Sequence, residues 1–227
     1  LKALDGLSAP LEGEEQIAAV ATAAIGNAET GKLLGELYDT LGTNANIVCT
    51  AWVTTKQDRA YHEGARFKGG YLSPYMLTDT QRRVAVLDDV NVVVTDMVID
   101  NMEILRRILE LASKGRGKNL MLICERMSEQ ALGILIQNSE RGTFKAVAAK
   151  LGTISAGKEA TLEDIGLLVG SLPIVANPSL TPADIKPEHI GYAERVFVTR
   201  EDFTIIGGHG DKEKIRERVR RLQEQLR

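Results

Sequence analysis

Aromatic side chains are scarce in this sequence, with ten in 227 residues and a single tryptophan. Cysteine is scarcer still, at two, too few for a disulfide-stapled scaffold. Both lie in strand-like apolar runs, Cys49 in Ile47-Val48-Cys49-Thr50-Ala51-Trp52 and Cys124 in Leu122-Ile123-Cys124. They read as small buried hydrophobes, which fits a reducing, cytoplasmic setting. The three histidines, His62, His189 and His209, stand far apart, none with a cysteine or carboxylate at metal-ligand spacing. No apolar run approaches the roughly 18–20 residues that span a bilayer. The small-residue stretch at 19–25 follows an acidic Glu12-Gly13-Glu14-Glu15, the wrong flank for a signal peptide. A net charge of −3 leaves no electrostatic footprint for nucleic acid.

What is present is ordinary globular chemistry, 44% hydrophobic and 26% charged, with one local oddity. Five of the ten aromatics (Trp52, Tyr61, Phe67, Tyr71 and Tyr75) cluster around the Gly- and Pro-punctuated stretch 69–76, Gly-Gly-Tyr-Leu-Ser-Pro-Tyr-Met. That stretch reads as a loop, a place where aromatics find no core.

Helices are expected over Glu14–Ile25 and Ala28–Leu41, the second carrying Leu33, Leu34, Leu37, Tyr38 and Leu41 on one face. A strand is expected at Asn46–Thr54. From about residue 84, strand candidates Val92–Thr95, Leu120–Cys124, Phe144–Ala149 and Pro173–Ala176 alternate with helix candidates Asn101–Ser113, Ser128–Arg141 and Thr161–Leu168. Such alternation predicts a largely parallel sheet flanked by helices. Two further strands, Arg195–Thr199 and Phe203–Ile206, precede an amphipathic segment, Asp211–Arg227, striped by Ile215, Val219, Leu222 and Leu226. A stripe with no stop signal after it, in a chain opening on Leu1, suggests a piece of a longer protein.

No nucleophile, base and orienter can be assembled from these residues. The turn Gly207-Gly208-His209-Gly210-Asp211 invites comparison with a phosphate cradle, but reads more simply as a strand-to-helix turn capped by Asp211. Lys114-Gly115-Arg116-Gly117-Lys118 lacks the spacing of a phosphate loop and reads as a solvated turn. Asp88-Asp89 also reads as a turn. The helices are more informative. Apolar residues from Met102 to Ala112 spread over roughly 180° of the helix, and Ala131 to Ile136 over roughly 200°, where about 100° suffices to cover one face. Either both helices are sandwiched within the domain, or each keeps an apolar edge turned outward, the usual mark of a binding surface.

The stretch Glu63-Gly64-Ala65-Arg66-Phe67-Lys68-Gly69-Gly70-Tyr71-Leu72-Ser73-Pro74-Tyr75 resembles the opening of the apical domain of group I chaperonins, the GroEL type. Leu1-Lys2-Ala3-Leu4 and Glu29-Thr30-Gly31-Lys32-Leu33-Leu34 are similar to that family's ascending intermediate-domain segment. Glu129-Gln130-Ala131-Leu132, Asn138-Ser139-Glu140-Arg141-Gly142, Ala160 to Ile165 and Ala193-Glu194-Arg195-Val196 are similar to successive apical elements, so essentially the whole chain is covered. The resemblance implies residues 1–62 as part of an intermediate domain, a hinge at Gly64, and residues 63–227 as an apical polypeptide-binding domain of α/β class. It implies a groove lined by Tyr71, Tyr75 and Met76, by Leu105, Ile108 and Leu109, and by Leu132, Ile136, Gln137 and Asn138. Its ligands would be non-native polypeptides and a co-chaperonin's mobile loop; other chaperonin subunits would complete a ring. ATP and Mg belong to family segments this chain lacks, so no cofactor and no catalysis are expected here. The chain departs from the family pattern at Arg106 and Arg107, at Gln137, and at Leu151 to Gly157. The alternatives are a small α/β phosphate-ligand binder or enzyme, or a chaperonin-like scaffold without folding activity.

Overall fold

The computed structural model describes residues 11, 13–41, 47, 64–152 and 157–225. Cys49, Trp52, Tyr61, His62 and the strand expected at Asn46–Thr54 lie outside them. The chain divides into two compact units, Leu1–Ala60 and Tyr61–Arg227.

The first unit holds a helical hairpin, α1 (Gly13–Ile25) and α2 (Ala28–Leu41), both close to the expected spans. The Asn27 side chain accepts from the Thr30 amide at 3.0 Å and so starts α2. Leu33, Leu34, Leu37 and Tyr38 are half-buried along that helix.

The second unit is built on β1 (Gly64–Tyr71), β2 (Ala85–Val94), β4 (Asn119–Ile123), β6 (Ala146–Leu151), β7 (Ile190–Val198) and β8 (Asp202–Gly208), which close into a barrel in the order β1-β6-β4-β2-β7-β8. A two-stranded parallel pair, β3 (Val98–Ile99) and β5 (Arg126–Met127), sits apart from it. Among the described residues four further helices follow: α3 (Met102–Ser113), α4 (Glu129–Glu140), α5 (Lys158–Val169) and α6 (Lys212–Gln225). The α/β class holds, but the largely parallel sheet does not. Only β2–β4 and β4–β6 are parallel; the other four seams are antiparallel. The reason lies at the ends of the unit. β7 and β8 form a hairpin that pairs back onto β2, and β1 bridges β8 to β6 and removes the last free edge.

Central strands show why they are central. Val90 to Val94 is buried throughout, because β2 has neighbours on both sides. The one polar residue in that run, Asn91, is 2% exposed but fully paired. Its amide donates to the carbonyls of Ala112 (2.9 Å) and Gly117 (2.7 Å), and its oxygen accepts from the Gly117 amide (2.8 Å). It thereby ties the Lys114–Lys118 turn, solvated as expected at Lys114, Arg116 and Lys118, to the barrel. Cys124 directly follows β4, buried as its apolar run implied. Burial, with the neighbouring Glu125 carboxylate, pushes its thiol up to about 12. It therefore stays protonated and unreactive across the neutral range.

Three local expectations change. Asp88 and Asp89 lie inside β2, where Asp88 pairs with Arg195 and Asp89, at φ 56°, accepts from the Tyr192 hydroxyl at 2.9 Å. Pro173–Ala176 is no strand but a single bridge, Thr95 to Ile174, since Pro173 and Pro178 deny the segment a ladder. Gly69 to Tyr71, read as part of a loop, belongs to the strand Gly64–Tyr71 that closes the barrel.

Candidate functional site

The aromatic stretch is held in place by its backbone. Along β1, Arg66 and Lys68 point outward while Phe67 stacks on the fully buried Phe203, ring centroids 5.5 Å apart. Gly70 pairs with Lys150 of β6 on one side. On the other, a Cβ added at Gly70 would lie 2.0 Å from the Arg200 carbonyl oxygen, so only glycine fits. The Tyr71 amide donates to Thr199 (3.0 Å) and the Leu72 amide to Ala148 (2.8 Å). Ser73, itself buried, then caps a 3₁₀ turn, Pro74–Met76, accepting from the Tyr75 amide at 3.4 Å. Met76 is driven inward, 5% exposed, with its sulfur accepting from the Ala148 amide at 3.2 Å. Tyr75 is left 81% exposed on this fixed seat. The turn's contacts hold its backbone and Met76, and leave the Tyr75 ring to solvent.

The two wide-faced helices start side by side. β3 and β5 pair in parallel, Val98 with Arg126 and Ile99 with Met127, and the Ser128 amide donates to Ile99 at 3.0 Å. Asn101 caps α3 through the Glu103 amide (2.9 Å) and Ser128 caps α4 through the Ala131 amide (3.2 Å). α4 packs beside the Pro74–Met76 turn and on β6.

Their apolar arcs are covered differently. On α3, Ile104, Leu105, Ile108, Leu111 and Ala112 are buried. β3 packs against the helix, Asn91 of β2 ties its end to the barrel, and the segment around a second 3₁₀ turn, Pro182–Asp184, packs on it as well, bringing the fully buried Ile185 with it. Arg107 Nε donates to the Ile185 carbonyl at 3.2 Å and so fastens that segment. Leu105 and Ile108, expected on a groove wall, are therefore core residues at 1% and 0% exposure. Met76 joins them in the core. Leu109 remains half-buried. On α4 only Ala131 and Leu135 are buried, while Leu132, Ile134 and Ile136 are half-buried and Gln137 is exposed. Asn138 turns back to donate to the Ile134 carbonyl at 2.9 Å.

Of the residues expected to line a groove, Tyr75 alone is a strongly exposed apolar side chain, with Tyr71, Leu109, Leu132 and Ile136 half-buried; Val98, Val219 and Leu222 are exposed elsewhere in the unit. Sequence reasoning missed Leu172 and Val175, 55% and 61% exposed in the Pro-rich connection before β7. Their signal was large aliphatic residues inside a turn-rich segment.

The glycine-rich turn has a packing explanation. The Gly210 amide donates to Leu168 at 2.9 Å, and a Cβ at Gly210 would meet the Leu167 carbonyl oxygen at 1.8 Å. Asp211 caps α6, accepting from the amides of Glu213 (2.9 Å) and Lys214 (3.4 Å). The turn is pressed on carbonyl oxygens at the end of α5, which would repel a phosphate there. Arg116 stacks over Tyr192 at 4.5 Å and meets His209 at 3.1 Å. The Tyr192 hydroxyl is raised by burial and by its bond to Asp89. Among the described residues no group of three or more His, Cys, Asp or Glu is placed to hold a metal, and no helix is long and apolar enough to cross a membrane. The sequence matches no family model.

Proposed function

We propose that this chain is the polypeptide-binding module of a group I-type chaperonin. It would comprise part of an intermediate domain (1–62) and an apical domain (63–227) that holds exposed hydrophobic segments of non-native proteins. The observation that carries the reading is Tyr75, 81% exposed on a turn that Ser73, Pro74 and Met76 hold rigid beside the half-buried Leu132 and Ile136 helix. A fixed apolar surface of this kind offers attraction without direction. Each fully buried aliphatic or aromatic side chain contributes about 1.5–3 kcal/mol, and ordering and association costs offset much of it. Selection is then for exposed hydrophobic segments as a class.

In this reading Tyr71, Tyr75, Leu109, Leu132, Ile136 and Gln137 meet the ligand. Met76, Leu105 and Ile108 support the surface from beneath, and Asn138 stabilises α4. Weak single-site binding becomes useful when other subunits present the same surface many times in a ring. Gly64, the first residue of β1, would be the pivot through which ATP- and Mg-driven changes elsewhere in a cytoplasmic full-length protein withdraw the surface. A co-chaperonin's mobile loop would compete for the same site. The module itself would perform no catalysis and bind no nucleotide.

The test is retention of a reduced, unfolded protein by the chain and by a Leu132→Glu variant, with the thermal midpoint of each as a folding control. A loss of affinity of about tenfold or more, roughly 1.4 kcal/mol, is expected for a folded variant. Unchanged retention would overturn the reading.

A further inference from the structure

Two adjacent arginines on α3 have opposite fates. Arg107 is used up: its Nε donates to Ile185 at 3.2 Å and its Nη1 pairs with Glu110 at 3.3 Å. Glu110 also binds Lys114 at 2.8 Å, and Lys114 with Arg107 holds its carboxyl below the usual carboxylate range. Arg106 is exposed and has no hydrogen-bond or ion-pair partner among the described residues. The acidic residue one turn on, Glu110, is already committed to the other two cations. Arg106 lies at helical spacing between Met102 and Leu109, both half-buried. A free guanidinium therefore stands along the apolar margin of α3. Its methylene stem can lie on that margin while its planar fork of donors remains unfilled.

Resting on the polypeptide-binding reading above, we infer that the segments this surface holds best carry a carboxylate beside their apolar residues, and that Arg106 receives it. The fork takes a carboxylate through two parallel hydrogen bonds. A neutral or basic segment leaves it solvated or repels it. The surface would thus sort hydrophobic segments by charge, a selectivity that apolar contact alone does not supply.

The experiment compares two short rhodamine-labelled apolar peptides, identical except for a central glutamate or glutamine, by fluorescence anisotropy on the whole chain. The glutamate peptide should bind about three- to fivefold more tightly at low salt. The preference should fade near 1 M salt, where screening acts within about 3 Å. Arg106→Gln should abolish it, and Arg106→Glu should transfer it to a lysine-bearing peptide. Lys118→Gln, an exposed cation outside α3, should leave it intact. Equal binding of both peptides, or a preference that survives Arg106→Gln, overturns the inference and leaves the surface itself standing. Failure of every peptide to bind would overturn the surface as well.

Discussion

Replacing Gly70 with alanine is expected to cost about 3 kcal/mol or more, at the upper end of what overpacking a close contact does. The added methyl would sit 2.0 Å from the Arg200 carbonyl oxygen, and that atom is backbone, which cannot rotate away. Relief requires β1 and the 199–201 turn to part. The bonds that bracket Gly70, from the Gly69 amide to Glu201 at 2.9 Å and from the Tyr71 amide to Thr199 at 3.0 Å, would be the first to break. β1 is the strand that joins β8 to β6, so its loss opens the barrel and unseats the turn that carries Tyr75. Against a total stability of typically 5–15 kcal/mol, the urea midpoint should fall steeply. Affinity for unfolded polypeptide should fall with it. A change below about 0.5 kcal/mol, the ordinary range of surface substitutions, would show that the turn tolerates a side chain there.

Replacing Tyr75 with glutamate should do the reverse. The side chain is 81% exposed, and what fixes its position is the backbone and the side chains of Ser73 and Met76. Stability should therefore move by no more than about 0.5 kcal/mol. Binding of an unfolded protein should weaken by about tenfold, because an aromatic group that would be desolvated in the complex is exchanged for a charge that resists desolvation. An unchanged stability with a lost affinity separates a recognition residue from a core residue. The same assay on Ile108→Ala should show the opposite pattern, since that position is fully buried.

The helices were legible because their signals are local. α2 matches the expected Ala28–Leu41 span, and α3 and α4 differ from theirs only at the caps, Asn101, Ser128 and Arg141. The runs of β4 and β6 were legible for the same reason, but of β2 only the end, Val92 to Val94, was, since Asp88-Asp89 read as a turn. β1 was not. Its alternation of Arg66 and Lys68 with Ala65 and Phe67 is present, but Gly64, Gly69 and Gly70 read as punctuation. Those glycines answer to non-local neighbours, Ile205, Lys150 and Arg200, which no local pattern reveals. The width of α3's apolar arc left open whether the helix is sandwiched or keeps an outward edge, and nothing local showed that the buried Ile185 would cover it. Leu105 and Ile108, which the resemblance set on a groove wall, lie in the core instead. α4, with a comparable arc and only Ala131 and Leu135 buried, kept its outward edge.

The most direct measurement places a photo-crosslinking benzoylphenylalanine at position 75 and irradiates the chain with a reduced, unfolded protein or with the same protein in its native state. A polypeptide-binding surface at Tyr75 predicts a covalent adduct with the unfolded protein alone, diminished by Leu132→Glu. No adduct, or equal adducts with the unfolded and native forms, would contradict it.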